Sequence, residues 1–373
     1  MQHFISYWEK SVLLKTFDFT ILGAGLIGKQ IAIKIKKKFP SARVAMVDKM
    51  PISYGASTRN AGFACFGSVS EIVDDFKRSP QNQVYNLIQK RFTGIQQLKQ
   101  EFGEASIGFE PTGSFEVFQS EADFQIAESQ YQEINSELNA RFGYKQVFNL
   151  QSADNLKMNF GPSAIYNPYE GMLNSGLLNQ TVNSIAHTLD IIPLYGLNIM
   201  SYHASQNGYT LISDSGMEIE TNQLIIANNA FAKDLLPSED VEPARGQIVI
   251  TKPIDNLPFD AIFHADKGYI YFRRIDDRIL IGGGRNHFYD QENTFDMQGT
   301  DNLKDFLSNY IKEWILPNTP FEIDMHWSGI MGMGKEKLPI VKKVDDHLGI
   351  CVRMSGMGVA LGPVLSDEVL AWY

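Results

Sequence analysis

Three glycines and one acid carry the most specific chemistry in this chain. Gly23, Gly25 and Gly28 stand in the spacing GxGxxG, and Asp48 lies 25 residues beyond Gly23. The first glycine of such a set allows a tight turn, the second lets backbone approach a pyrophosphate, and the third lets a helix pack closely on a strand. Leu26 and Ile27 would open that helix, and a helix N-terminus favours an anion. A carboxylate at the end of the next strand accepts hydrogen bonds from ribose hydroxyls and repels a 2′-phosphate. The combination predicts a dinucleotide site and leaves open which dinucleotide.

The flanking residues supply the elements such a site needs. Residues 17–22 are a β-prone run, 43–47 form a second one ending at Asp48, and Lys34 and Lys36 to Lys38 crowd the end of the intervening helix, where cations suit the dipole. The stretch PISYGASTRNAGFACFGSVSE after Asp48 is glycine-rich and irregular, as loops that touch ligands often are. Apolar periodicity predicts helices over 81–102 and 121–142 and another over 176–189. Short strands are expected over 197–203, 209–213, 217–220 and 223–227. The last is an apolar run ending in small residues at Ala227, as expected of a buried strand facing a ligand. Alternation resumes over 246–284, followed by a helix over 302–315, strands over 321–327 and 348–354, and a final helix starting near Gly362, with Pro363 in its first turn.

Composition narrows the function classes. The 373 residues are 44% apolar and 20% charged, and net charge is −10 from 33 basic and 43 acidic residues. That balance argues against nucleic acid as a partner. No apolar run reaches the length of a membrane span, two cysteines fit a reducing cytoplasm, and the first residues do not read as a signal peptide. Seven histidines and two cysteines show no metal-ligand spacing, so no metal site is expected.

Five segments in order resemble the D-amino-acid oxidase family of FAD-dependent oxidoreductases: GAGLIGKQIA with Asp48, GASTRNAGF at 55–63, RGQ at 245–247, GGGR at 282–285, and HWSG followed by MSGMGVALGP at 354–363. The resemblance implies an α/β protein (α+β overall). A Rossmann-like FAD-binding domain (1–75, 165–240 and 330–373) would be interleaved with a smaller substrate domain on a mainly antiparallel sheet (76–164 and 241–329). It implies FAD without a covalent bond, its adenosine end on Gly23, Gly25, Leu26, Ile27, Gly28, Asp48 and Lys49. Ser57, Thr58, Asn60, Ala61, Gly62 and Ala227 would follow along the cofactor, with Gly356, Met357, Gly358 and Val359 at the flavin. The expected activity is oxidation of the C–N bond of an amino acid or secondary amine, with oxygen or a respiratory acceptor taking the electrons. A 2-hydroxy-acid dehydrogenase and a non-catalytic flavin-binding protein are the alternatives.

Arg285, at the end of GGGR, is the leading candidate to face flavin and substrate. Tyr269, Tyr271 and Arg273 would share one strand face by the two-residue period, making Tyr269 and Arg273 further candidates. Cys65 reads as a small buried hydrophobe, and Arg245 as a brace. One departure from the family matters. Where relatives place a carboxylate-clamping arginine after Trp-x-Gly, this chain has Met331, and a second arginine near the last glycines is replaced in the region of Met357. If the substrate is an α-amino acid, Arg285 or Arg273 must act as the clamp.

Overall fold

The strand–turn–helix–strand unit at the start of the chain is built where it is expected. Strand β1 (Phe17–Leu22) leads through the glycine turn into helix α1 (Leu26–Lys38), which returns to strand β2 (Val44–Asp48), parallel to β1 with Phe19 opposite Val44 and Leu22 opposite Val47. The computed structural model describes residues 5–52 and 54–373. They divide into two units: Met1–Thr58, Gly176–Ala244 and Met331–Tyr373 in one, Arg59–Ser175 and Arg245–Ile330 in the other. Residues 59–75 and 165–175, expected in the nucleotide domain, lie in the second unit.

The first unit is a mixed sheet in the order Ile340–Lys343, Leu348–Val352, Glu218–Ile226, β1, β2, Ile192–Tyr195. Its central strands are parallel, with Phe17, Val47, Leu224, Ile226, Ile350 and Val352 in one core, as sheets covered on both faces require. Residues 217–227 form one strand rather than two. Thr221 and Asn222 read as a break, but Thr221 pairs in register with Phe17, and the strand runs unbroken over Glu218–Ile226. Helix α1 packs on the final helix, Gly358–Leu370. That helix starts four residues before the expected Gly362 and holds Pro363 within it. Proline there forfeits one backbone hydrogen bond, while continuing the helix buries Ala360 and Leu361.

The second unit is an eight-stranded, mainly antiparallel sheet in the order Ile323–Met333, Glu242–Thr251, Arg278–Gly283, Ile270–Ile275, Ile262–Ala265, Ser114–Val117, Ser163–Asn167, Asn149–Ser152. Phe263, Phe272, Ile279 and Ile281 face a large apolar core on one side, with Leu303, Leu307 and Ile311. The other side carries Ile248, Ile250 and Leu280, on which Ala61, Phe63, Tyr271 and Trp327 pack. Helices Gln81–Phe102 and Glu121–Phe142 match the periodicity reading residue for residue. No helix among the described residues is long and apolar enough to cross a membrane.

The tightest point of the first unit is the approach of α1 to β1. A methyl group on Gly28 would overlap the carbonyl oxygen of Gly23, and it would also meet Ile21 at 3.1 Å. Gly28→Ala must therefore push α1 away from the sheet. We expect a loss of about 1–3 kcal/mol or more in unfolding free energy by urea titration, as overpacking costs elsewhere. An unchanged midpoint would show that the helix is not seated there.

Candidate active site

In the first unit, the glycine turn makes an anion cradle. Gly23 adopts φ +115°, and a side chain there would strike the Ala227 and Asn228 backbone at 2.7 Å. A side chain on Gly25 would meet the Ser57 hydroxyl at 2.9 Å. No side chain caps the N-terminus of α1 through Gly25. The Leu26 amide donates to Ser57 Oγ (2.8 Å), and Leu26 and Ile27 are buried behind it. Asp48 is aimed by two amides, Ala24 (2.9 Å) and Met50 (3.0 Å), one on each carboxylate oxygen. Lys49 lies over the ring of Phe231 at 3.5 Å, and burial lowers its pKa against the pull of Asp48. Thr58 sits in the short helix Ala56–Arg59 that follows.

The last glycines form a second helix entrance in this unit. Arg353, Ser355 and Gly356 all have left-handed backbones, at φ +62°, +49° and +82°, a density of strain found at functional sites. Met357 then precedes a helix that begins Gly358, Val359 and has no side-chain cap. Met331 lies beside this turn, its sulfur 3.5 Å from where a Gly356 side chain would begin. Asn229, which the sequence reading did not single out, braces the turn: its Oδ1 accepts the Met354 amide at 3.2 Å. Its own left-handed φ of +51° is a conformation asparagine tolerates.

These features suit a dinucleotide bearing a diphosphate and a reducible ring. Glycine clearances would let backbone approach phosphates, the oriented carboxylate would accept from ribose hydroxyls, and the two helix N-termini would favour anionic groups.

In the second unit, the segment after Arg59 lies along the sheet. The Arg59 carbonyl accepts from Trp327 Nε1 (3.1 Å), and its guanidinium donates to the Ser328 carbonyl (2.7 Å). Asn60 Oδ1 accepts the Gly62 amide (3.0 Å) and the Ser175 hydroxyl (2.7 Å). Ala61 packs into the apolar face. Gly62 has φ +72°, and a side chain there would reach Arg273 at 3.0 Å.

Arg273 is the unusual group of this unit. It is 4% exposed, its Nε has no partner, and among the described residues no hydrogen bond or ion pair meets its guanidinium. Burial lowers its pKa to about 10, with Glu110 pulling the other way, so it stays a cation at neutral pH. Tyr271, one strand period away, lies flat over Gly282, where a side chain would come within 2.5 Å of its ring. Phe63 stands edge-on to Tyr271 at 5.6 Å.

Tyr269 does not join them. The strand begins at Ile270, after left-handed residues at 266–268, and Tyr269 itself is helical at φ −71°, ψ −23°. The period is broken there, so Tyr269 is turned elsewhere. Its hydroxyl meets Arg78 and Tyr289, each at 3.3 Å. Arg285 belongs to this second group: its guanidinium lies over the Tyr289 ring at 4.7 Å and donates to Asn293. Burial lowers its pKa, opposed by Tyr289 and Glu292. Arg245 is a brace within this unit, bidentate to Glu292 at 2.8 and 2.9 Å and bonded to the Gln291 and Gln298 carbonyls.

A buried polar network that spacing could not reveal lies behind the loop. Glu170 accepts the amides of Phe66 (2.7 Å) and Gly67 (3.1 Å) on one oxygen and meets His264 Nε2 (3.0 Å) with the other. Glu116 accepts the Val69 and Ser70 amides and the Ser68 hydroxyl, closing the N-terminus of the helix Val69–Phe76. Cys65, Glu170 and His264 bring metal-competent atoms within 4.8 Å of one another. Arg91 already lies on the Cys65 sulfur at 3.8 Å, and burial and Glu170 push that thiol up to about 12. The trio therefore reads as part of the hydrogen-bond network.

Comparison with known proteins agrees with the geometry. Residues 18–372 match the DAO family model, described as FAD dependent oxidoreductase. The probable oxidoreductase OrdL of Haemophilus influenzae is 21% identical over 95% of this chain and 83% of its own. Glycine oxidase from Geobacillus kaustophilus shares the fold at a TM-score of 0.76 and 20% identity, covering 95% of this chain and 94% of that one. For L-proline dehydrogenase from P. horikoshii the values are 0.73 and 19%, over 95% and 92%.

The buried network generates a pH prediction. Burial alone would lower the His264 pKa, but Glu170, aided by Glu71 and Glu116, raises it above the ordinary value. The stabilisation from its charged form is thus full below about pH 6.5 and fades as pH rises through the folded value. Wild type should exceed His264→Gln in unfolding free energy by about 3 kcal/mol in mild acid, and the gap should narrow steadily toward alkaline pH. A gap that is flat with pH would mean the imidazole is neutral throughout.

With a match that spans nearly the whole chain and a diphosphate cradle to accommodate the cofactor, the chain belongs to the DAO family of FAD-dependent oxidoreductases.

Proposed function

We propose that this enzyme oxidises the C–N bond of an amino acid, or of a secondary amine bearing a carboxylate, to an imine that then hydrolyses. The observation that carries this reading is Arg273, a buried cation with no counter-ion among the described residues. A buried charge is costly unless paired, so a guanidinium left open calls for an anionic ligand, and its planar fork suits a carboxylate. Arg285 is the weaker candidate for the clamp because Asn293 and the Tyr289 ring already occupy it.

The neighbours of Arg273 suit the rest of such a substrate. Phe63, Tyr271, Leu280 and Trp327 share an apolar cluster that would exclude water and take an aliphatic or aromatic substituent. A monocarboxylate with an apolar body therefore fits better than a small polar amino acid. Enzymes that share this fold are named for glycine, L-proline and iminodiacetate, which supports substrates with nitrogen beside a carboxylate-bearing carbon.

Bound FAD supplies the hydride acceptor. The protein's part is positional. Gly23, Gly25, Gly28 and Asp48 would hold the adenosine and diphosphate end, and Ser57, Thr58, Asn60, Ala61, Gly62, Ala227 and Lys49 would line its course. The helix entrance at Met357, Gly358 and Val359 offers partial positive charge for the anion that builds up on reduction. Arg273 would orient the substrate so that the carbon bearing nitrogen meets the ring. Oxygen or a respiratory acceptor would then take the electrons.

Anaerobic bleaching of the flavin by a panel of amino acids, secondary amines and hydroxy acids tests this reading. Apolar amino acids or N-substituted amino acids should reduce it, with ammonia or an amine released. Arg273→Met should weaken substrate binding roughly 30-fold or more, about 2 kcal/mol, while the flavin-to-protein ratio stays at the wild-type level. Arg285→Met should cost less than Arg273→Met. Full reduction by substrate in Arg273→Met at wild-type concentrations would remove the clamp from this residue.

A further inference from the structure

We propose that the end of the first unit opposite its glycine turn docks on an anionic lipid surface, through an apolar wedge of Tyr7, Trp8, Val12 and Leu13 collared by lysines. The segment before β1 is locally encoded. Ser6 and Glu9 cap it reciprocally, the Ser6 amide donating to the Glu9 carboxylate (2.6 Å) and the Glu9 amide to the Ser6 hydroxyl (3.1 Å), which is the pattern of a capping box. Arg43 fastens its far end, donating to the carbonyls of Val12 and Leu13 at 2.7 Å while lying over the ring of Phe17 at 4.7 Å.

The turn is fixed in place, yet its large side chains point into solvent. Tyr7 is 74% exposed, Trp8 72% and Leu13 60%, and Val12 is exposed beside them. Among the described residues, the one ring contact of Tyr7 and Trp8 is with each other, edge-on at 5.2 Å. Single exposed apolar residues are ordinary, but four on one short ordered segment mark an interaction surface.

Charge identifies the partner. The chain carries −10 overall, yet Lys10 and Lys15 flank the wedge, Lys36, Lys37 and Lys38 end α1, and Arg43 lies just ahead of β2 at the same end of the sheet. Among the described residues none of these six pairs its side chain with a carboxylate. Lys36 and Lys38 bond the Ala42 and Leu370 carbonyls instead. The acids at this end are engaged locally: Glu9 in its cap, Asp18 by the Arg43 and Asn222 amides, and Glu220 by the Thr16 hydroxyl.

Indole and phenol rings favour the membrane–water boundary, and an apolar insertion combined with a polybasic patch gives the two signals that stable peripheral binding needs. The absence of any long apolar helix among the described residues makes this an attachment on the surface of a bilayer. Strand β1 starts at this end and reaches the glycine turn six residues later, roughly 20 Å away, so a docked unit points its diphosphate cradle away from the lipid.

The test uses the purified flavin-loaded protein with phosphatidylcholine vesicles, with and without phosphatidylglycerol. Sedimentation should be strong only with the anionic lipid and should fall at high salt. Reversing Lys37 to Glu should weaken binding roughly five-fold, and Trp8→Glu with Leu13→Glu roughly ten-fold or more. Flavin content and turnover with a soluble dye should be unchanged in both variants. Acyl-brominated lipid should quench emission in wild type and less in Trp8→Phe. Failure to bind anionic vesicles, or equal binding by the double variant, would overturn the proposal. So would a wild-type dimer that ignores vesicles and that the double variant splits, since the wedge would then join two copies of the chain.

Discussion

A helix can be laid against the end of a strand only as closely as the side chains between them allow, and in the first unit that distance is set by hydrogen atoms. Gly28 faces the carbonyl of Gly23, Gly23 faces the backbone of Ala227, and neither position has room for a methyl group. Everything useful about this unit follows from that approach. The N-terminus of α1 is held at the mouth of the central strands, with no cap from Gly25 itself and the Leu26 amide on the Ser57 hydroxyl, and Asp48, at the end of the neighbouring strand, is close enough for the Ala24 amide to orient it. The anion cradle is thus a by-product of backbone packing, and the apolar strands behind it exist to keep that packing rigid.

Buried charge in the second unit falls into two kinds, and the contrast points to function. Arg245 is saturated by Glu292 and three carbonyls. Glu170 gathers two amides and His264, and Glu116 gathers amides and hydroxyls at a helix end. These groups satisfy the rule that buried polar atoms find partners, and they hold the loop at 65–70 in shape. Arg273 breaks the rule on the same sheet. A fold that matches its other buried charges this carefully has the means to match this one, and the carboxylate ligand proposed above would supply the missing partner.

What could be read from the sequence was local. The periods of 81–102 and 121–142 gave both long helices to the residue, and the glycine spacing with Asp48 gave the strand, turn, helix and strand around it, because each depends on neighbours along the chain. Misreadings occurred where a tertiary gain outweighed a local signal. Thr221 and Asn222 resemble a turn, but pairing with β1 carries the strand through them. Pro363 resembles a helix start, but burial of Ala360 and Leu361 draws the helix back to Gly358. Tyr269 was placed on a strand face because alternation was extended one residue past the left-handed turn at 266–268. The network of Cys65, Arg91, Glu116, Glu170 and His264 was invisible, since no periodicity links positions that far apart. Arg273 was visible as a residue type at a strand position, but its isolation is a property of three dimensions only.

The replacement of a clamping arginine by Met331 then acquires a physical meaning. Two cations converging on one carboxylate bind it tightly but repel each other when it leaves, and each demands its own desolvation. With Met331 beside Gly356, the turn before the last helix keeps a soft, polarizable side chain, and in the second unit the buried Arg273 guanidinium has no hydrogen bond or ion pair among the described residues. The glycine turn has by contrast little freedom to change, because neither Gly23 nor Gly28 has room for a side chain.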